Sequence, residues 1–181
     1  MQFKNLLALL PFLVSATTAF VVPEGIEDGS YAVNFATDGS LELTKFETLA
    51  DGSIKERAVP IEGNSAKYGK QLAARNSQGN TGRTFDNHGD YNYCVDGMKD
   101  AFRSGLSVGA KKLFFVTRGS SFLALCNYAN SAQGGLAYEV DNFNGALDNA
   151  FGAWTTGWYH FSGPNKTLWR DRTGNAVCEN I

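Results

Sequence analysis

Two apolar runs and the turn between them decide the fold of this chain: LFFVT at residues 113–117, GS at 119–120 and FLALCNY at 122–128. Each run has the length of a strand and is rich in the aliphatic and aromatic residues that fill buried strands. Glycine followed by serine is typical of a tight turn. The stretch therefore predicts a buried β-hairpin.

Helical spacing occurs on both sides of this hairpin. Before it, apolar residues recur every three or four positions from Val95 to Phe102. Asp90 or Asn92 is the expected N-cap of this first helix, and Gly105 its expected end. A second helix is predicted over residues 141–151, ended by Gly152, and the residues that share its apolar face are Val140, Phe143, Leu147 and Phe151.

Two short strands are predicted after the second helix, at residues 158–161 and around residues 168–169. The order helix, hairpin, helix and strands favours an α+β fold: a small antiparallel sheet with two helices on one face. We assign this domain to residues 83–181.

An acidic region precedes the domain, over residues 20–63, where nine acidic and three basic residues occur. The triplet Asp-Gly-Ser occurs at residues 28–30, 38–40 and 51–53 and predicts turns between short strands. We therefore expect a β-hairpin or β-meander arm, which is also a possible pro-segment. Residues 64–82 are polar and predict a flexible linker, with Arg57 and Arg75 as possible processing points.

The first 19 residues have the features of a secretory signal peptide. Lys4 supplies the positive charge, residues 6–14 are apolar, and small residues lead to expected cleavage after Ala19. The apolar run is shorter than the roughly 20 residues that span a bilayer, so no membrane span is expected. The sequence predicts a secreted, extracellular protein.

Three cysteines follow the signal peptide, at Cys94, Cys126 and Cys178. An oxidising compartment favours one disulfide and one remaining thiol. We expect the pair Cys94–Cys126, because a helix and a neighbouring strand would bring these residues together. The spare Cys178 would be buried and inert, or would link two chains into a disulfide-bonded dimer.

The composition and residue spacing of the chain argue against nucleic acid, metals and cofactors as ligands. The chain has 181 residues, 43% of them hydrophobic and 19% charged, with a formal net charge of -2, which is typical of a globular protein without a polybasic surface for nucleic acid. Cys-x-x-Cys and paired-histidine spacings are absent, so neither a metal nor another cofactor is expected. One glycosylation sequon occurs, at Asn165-Lys166-Thr167.

The second half of the chain, from Asp90 to Ile181, resembles a known group. The features that carry the resemblance are the helix bearing Cys94, the run at 122–128, the Gly-Gly loop, the second helix, Thr156-Gly157-Trp158-Tyr159 and the terminal Cys178. It resembles the small secreted cysteine-containing proteins of filamentous fungi and, more distantly, killer-toxin-like and necrosis-inducing effector domains. The resemblance implies a role directed at a host or a competitor.

Relatives in that group usually have additional cysteines in the Gly-Gly loop and at the end of the second helix. Gly135 and Gly152 stand near those places in this chain. The disulfide framework of the group is therefore not carried over.

A catalytic alternative rests on few residues. A ribonuclease-type hydrolase needs a base, an acid and a cation near a phosphate, and Glu139, His160 and Arg170 or Arg172 could supply them. His88 with Asp90 is a second candidate acid–base pair. His160 lies between two aromatic residues, which favours a structural histidine, so the enzyme hypothesis is secondary.

Aromatic residues cluster near the C-terminus. Five of them lie within sixteen positions and would form a sugar-binding surface if exposed and part of the core if buried: Trp154, Trp158, Tyr159, Phe161 and Trp169. The leading hypothesis is a secreted effector- or toxin-like protein that binds a cell-surface or cell-wall partner, protein or glycan, without catalysis. The alternatives are the hydrolase and a carbohydrate-binding module built on these tryptophans.

Overall fold

The computed structural model describes residues 19–35, 40–48, 53–60, 77–179 and 181. Within these ranges the chain forms two helices and three antiparallel sheets, which confirms the α+β class. The elements in chain order are β1 (Phe20–Val21), β2 (Gly29–Phe35), β3 (Leu41–Thr48), β4 (Ile54–Val59), β5 (Ser77–Thr84), α1 (His88–Arg103), β6 (Ser107–Val108), β7 (Leu113–Arg118), β8 (Ser121–Asn127), β9 (Gln133–Gly134), α2 (Ala137–Phe151), β10 (Thr155–Phe161), β11 (Lys166–Arg172) and β12 (Ala176–Val177).

The main sheet has eight strands in the order β4-β3-β2-β7-β8-β11-β10-β5. The predicted hairpin is its central pair, β7 and β8, and both strands are almost fully buried. Gly119 has a φ of 55° in the turn between them, a conformation that glycine adopts without steric cost. The sheet is larger than the small sheet that the sequence predicts.

The extra strands come from the two regions that were expected to lie outside the domain. Strand β2 of the acidic region pairs with β7, and its Tyr31 stacks on Phe115 with ring centroids 5.0 Å apart. Residues 77–82, predicted as part of a linker, belong to β5, which pairs with β10. Strand β5 is an exposed edge strand and is held in the sheet by backbone hydrogen bonds to β10. Its polar, glycine-rich sequence therefore has no apolar alternation that would predict a strand.

Both helices pack on one face of the sheet, as expected. The N-cap of helix α1 is Asn87, whose Oδ1 accepts from the backbone N–H groups of Gly89 and Asp90, so the expected caps at 90 and 92 are wrong. Helix α2 starts four residues earlier than predicted and ends at Gly152, as predicted, where φ is 91°. None of the described helices is long and apolar enough to cross a membrane.

The sheet separates two hydrophobic cores. The helix-side core is formed by residues such as Met98, Phe143 and Leu147 together with the strand residues that face them. The opposite core is covered by β1 and β12, which pair with each other and bring in the fully buried Phe20 and Val177. The N-terminal and C-terminal segments therefore close the face of the sheet that the helices leave open.

The disulfide joins Cys126 to Cys178, and Cys94 is a free, buried thiol. The predicted pair Cys94–Cys126 is wrong because the two residues lie in different cores. Successive residues of a strand point to opposite faces, and on β8 Cys126 faces the core covered by β12. Cys94 on α1 packs in the helix-side core, so the sheet lies between the two sulfurs.

Candidate functional site

Glu139 of the catalytic hypothesis is held in an ion pair at the start of α2. Its Oε2 accepts from Lys166 Nζ at 2.8 Å and from the backbone N–H of Leu136 at 2.8 Å. Lys166 also donates to the carbonyl of Gly134 at 2.8 Å. The carboxylate therefore caps the helix and ties the preceding loop to β11, with its side chain 15% exposed.

Arg170 is almost fully buried between β11 and α2. Its guanidinium donates to the carbonyl of Thr155 at 2.7 Å, to Asn144 Oδ1 at 3.1 Å and to Asp148 Oδ1 at 2.7 Å. Tyr91 also donates to Asn144 Oδ1, and burial raises the pKa of this tyrosine. Since these contacts use the three guanidinium nitrogens, Arg170 ties β11 to β10 and α2, and Asn144 links this group to Tyr91 of α1.

His160 lies on the opposite side of the sheet from Glu139 and Arg170. Its Nδ1 is 2.9 Å from Thr167 Oγ1, and its ring meets the edge of Tyr128, a residue of the opposite core. Burial lowers the pKa of His160, which favours the neutral imidazole. The three candidate catalytic residues are therefore not brought together.

The two residues of the second candidate pair, His88 and Asp90, each contact a different group. Asp90 forms an ion pair with Arg118, with Oδ1 and Nε 3.6 Å apart. His88 stacks on Trp154, and Arg172, the other candidate cation, pairs with Asp86. Acid–base catalysis by this pair would need His88 and Asp90 to contact each other, but the structure pairs Asp90 with Arg118 and His88 with Trp154.

The three tryptophans do not form one platform. Trp169 is buried at 5% exposure in the opposite core, and Trp158 packs beside it with ring centroids 6.0 Å apart. Trp158 also covers Gly79 of β5, where an added Cβ would lie 2.9 Å from the indole. Trp154 packs against the helix-side core instead, so the sheet separates it from the other two.

Trp154 is the centre of an aromatic cluster at the end of the sheet where α1 begins. Its indole and the His88 imidazole are parallel, with centroids 3.9 Å and planes 5° apart. Tyr91 meets Trp154 edge-on at 6.4 Å and is itself stacked on Phe85 at 4.2 Å. We call these four residues the Trp154 cluster: the Phe85 and Tyr91 rings are buried, whereas His88 is exposed and Trp154 half-buried.

The backbone at Trp154 is strained. Its φ is 66°, a left-handed conformation that is unfavourable for a bulky residue and common only for glycine and asparagine. The Trp154 carbonyl accepts from the Phe85 N–H at 3.1 Å, which fixes this conformation. Such strain, of order 1–3 kcal/mol, occurs often at functional sites. Sequence reasoning singled out Trp154 but missed Phe85 and Tyr91, which lie 69 and 63 residues earlier in the chain.

Asn165 of the sequon is exposed in the turn between β10 and β11. Its Nδ2 donates to the carbonyl of Tyr128 at 3.1 Å, and Thr167 of the sequon is fully buried. Asn165 of the sequon is thus at the surface, whereas Thr167, the other recognised residue of the sequon, is buried in the folded protein. An enzyme that glycosylates Asn165 would have access to Thr167 only before β11 folds.

The acidic region contributes an ion-pair group beside a cavity of about 230 Å³. Glu27 Oε2 accepts from Lys45 Nζ and from Arg57 at 2.8 Å each. The hydrogen bond from Lys45, with the charge of Arg57 in addition, holds the pKa of Glu27 below its usual value. Arg57, a suggested processing point, lies in β4 and is ion-paired with Glu27 and with Glu47 of β3.

Across the described ranges, no group of three or more His, Cys, Asp or Glu side chains is arranged to hold a metal ion. No family model, curated protein or solved structure matches this chain. The Trp154 cluster is accordingly the candidate site, because it joins an exposed imidazole, a strained tryptophan and a buried aromatic base.

Proposed function

We propose that this chain is an exported protein that acts by binding a partner at a cell surface or in a cell wall, through a surface centred on Trp154. The observation that carries the proposal is the strained backbone that holds the indole of Trp154 against the exposed His88. Aromatic side chains with one buried and one exposed edge are common anchors of binding surfaces.

The predicted signal peptide and the resemblance to secreted fungal proteins support export and an effector- or toxin-like role. The disulfide between Cys126 and Cys178 fits an oxidising compartment. The alternative of a ribonuclease-type hydrolase has less support, because Glu139 and Arg170 are engaged on one face of the sheet and His160 on the other.

The experiment is a binding assay with the secreted, oxidised protein on intact cells and on isolated walls. Trp154→Gly removes the ring at a position where glycine accepts the observed φ without strain. We expect this variant to keep its fold and to bind about tenfold more weakly, a loss of about 1.4 kcal/mol.

Tyr93→Ala is the matched control, because Tyr93 is an exposed aromatic residue of α1 at 41% exposure. It should bind as the wild type does. If the wild type binds neither cells nor walls, or if Trp154→Gly binds with unchanged affinity, the proposal is wrong. Thermal unfolding of each variant shows whether a change in binding reflects a loss of the fold.

A further inference from the structure

A second aromatic pair continues the helix-side surface along β10. Tyr159 and Phe161 are two residues apart, so both face the helix side, and their ring centroids are 4.9 Å apart. Both are half-buried and pack their inner sides against the helix-side core, as Trp154 does. Each of the two residues is therefore partly exposed to solvent.

Amide side chains lie beside this pair on the edge strand β5. Gln78 is the cross-strand partner of Tyr159, and Asn80 is the partner of Gly157. Cross-strand partners share a face of the sheet, so both amides are on the side of the aromatic pair. Gln78 and Asn80 are exposed and can donate and accept hydrogen bonds.

We call Tyr159, Phe161, Gln78 and Asn80 the β10 strip. Its β5 side is uncharged, because residues 77–82 contain no charged side chain. Lys166 Nζ is 5.7 Å from the centroid of the Phe161 ring, but it is bound to Glu139 and only 6% of its side chain is exposed. The strip therefore offers aromatic faces and amides without a net charge.

The strip is elongated and leads towards Trp154. A strand rises about 3.3 Å per residue, so β10 spans about 13 Å from Thr155, the residue after Trp154, to Tyr159. An aromatic residue thus stands at each end of β10 on the helix side. This arrangement suits an extended ligand that contacts the protein at several points.

We propose that the β10 strip binds a neutral polysaccharide chain, a proposal that rests on the wall- or surface-binding function above. A sugar ring has an apolar face of C–H groups, which packs on an aromatic ring, and a rim of hydroxyls, which amides recognise. The neutrality of the strip matches an uncharged glycan, whereas an anionic polymer would require an unpaired cation that the strip does not provide.

The test is retention of the secreted, oxidised protein on insoluble β-1,3-glucan, chitin and cellulose, with soluble polygalacturonate as the anionic probe. We expect retention on at least one neutral glycan and none by polygalacturonate. Tyr159→Ala should raise the dissociation constant about tenfold, whereas Tyr159→Phe, which keeps the ring, should stay within about twofold of the wild type.

The double change Gln78→Ala/Asn80→Ala keeps the test valid if Tyr159→Ala does not fold, because both amides are exposed. It should weaken retention by about tenfold with an unchanged melting temperature, and Tyr93→Ala should retain full binding. Unchanged retention of the double variant, binding to polygalacturonate alone, or wall binding that is lost when the wall is treated with protease overturns the glycan proposal. Absence of any binding to cells or walls overturns the proposed function instead.

Discussion

Replacing Cys126 and Cys178 together by alanine is expected to lower the free energy of unfolding by about 4 kcal/mol. The two cysteines are 52 residues apart in the chain, and the figure follows from the entropy that closing such a loop removes from the unfolded state. Domains are stable by only about 5–15 kcal/mol, so the loss is a large part of the total.

The location of the bridge adds a local effect. Cys178 follows β12, which pairs with β1 over the opposite core, so the double variant should loosen the segment that covers Phe20. At roughly 2–4 °C per kcal/mol for a chain of this size, the melting temperature should fall by about 8–16 °C.

Urea unfolding followed by near-ultraviolet circular dichroism measures the change, with Cys94→Ala as the control that keeps the disulfide. Trypsin digestion without reduction should release the peptide after Arg172 linked to the peptide after Arg118. A linked peptide that contains Cys94, or a Cys94→Ala variant that loses the same 4 kcal/mol while the double variant is unaffected, would refute the reasoning.

Phe20→Ala should cost about 3–5 kcal/mol in urea unfolding, because the ring is fully buried against Phe115; a cost below about 1 kcal/mol would show that β1 does not cover the core. Burial raises the pKa of Asp171, so the folded protein binds a proton at this carboxylate more tightly than the unfolded chain does. Ionisation of Asp171 therefore opposes folding. Asp171→Asn should therefore melt above the wild type at pH 7, with the difference vanishing below the ordinary pKa of 3.8; an equal difference at every pH contradicts this. Cys94 is fully buried and burial raises its pKa to about 12, so iodoacetamide should label it only after unfolding and non-reducing gels should show a monomer, whereas a reducible dimer would assign it an intermolecular bond.

The local patterns predict the centre of the fold correctly. The hairpin at residues 113–128, the two helices and the stop at Gly152 depend on apolar spacing and on glycine, both of which are properties of neighbouring residues. Strand β5 could not be found in this way, because an exposed edge strand needs no apolar side chains and gains its stability from the backbone of β10.

The disulfide pairing and the Trp154 cluster could not be predicted from local sequence patterns. The prediction of Cys94–Cys126 treated closeness of a helix and a strand as enough, although the face on which each sulfur lies decides the pairing. The alternation of residues 122–126 contains that information once the helix side of β8 is known. The grouping of Trp154 with Tyr91 and Phe85 depends on a strained backbone and on distant segments, and no local signal encodes either.

The position of β2 inside the main sheet has a consequence for proteolytic maturation. Residues 20–60 supply β1 to β4, and β2 covers the edge of β7 with side chains that are fully buried, such as Tyr31 and Val33. A protease that cut between residues 61 and 76 would therefore yield two fragments that stay associated through the pairing of β2 with β7. The fragments should elute together in size-exclusion chromatography in native buffer and separate only in denaturant. The acidic region would then remain part of the folded protein after cleavage. The two fragments, produced separately and mixed, should associate and form the eight-stranded sheet.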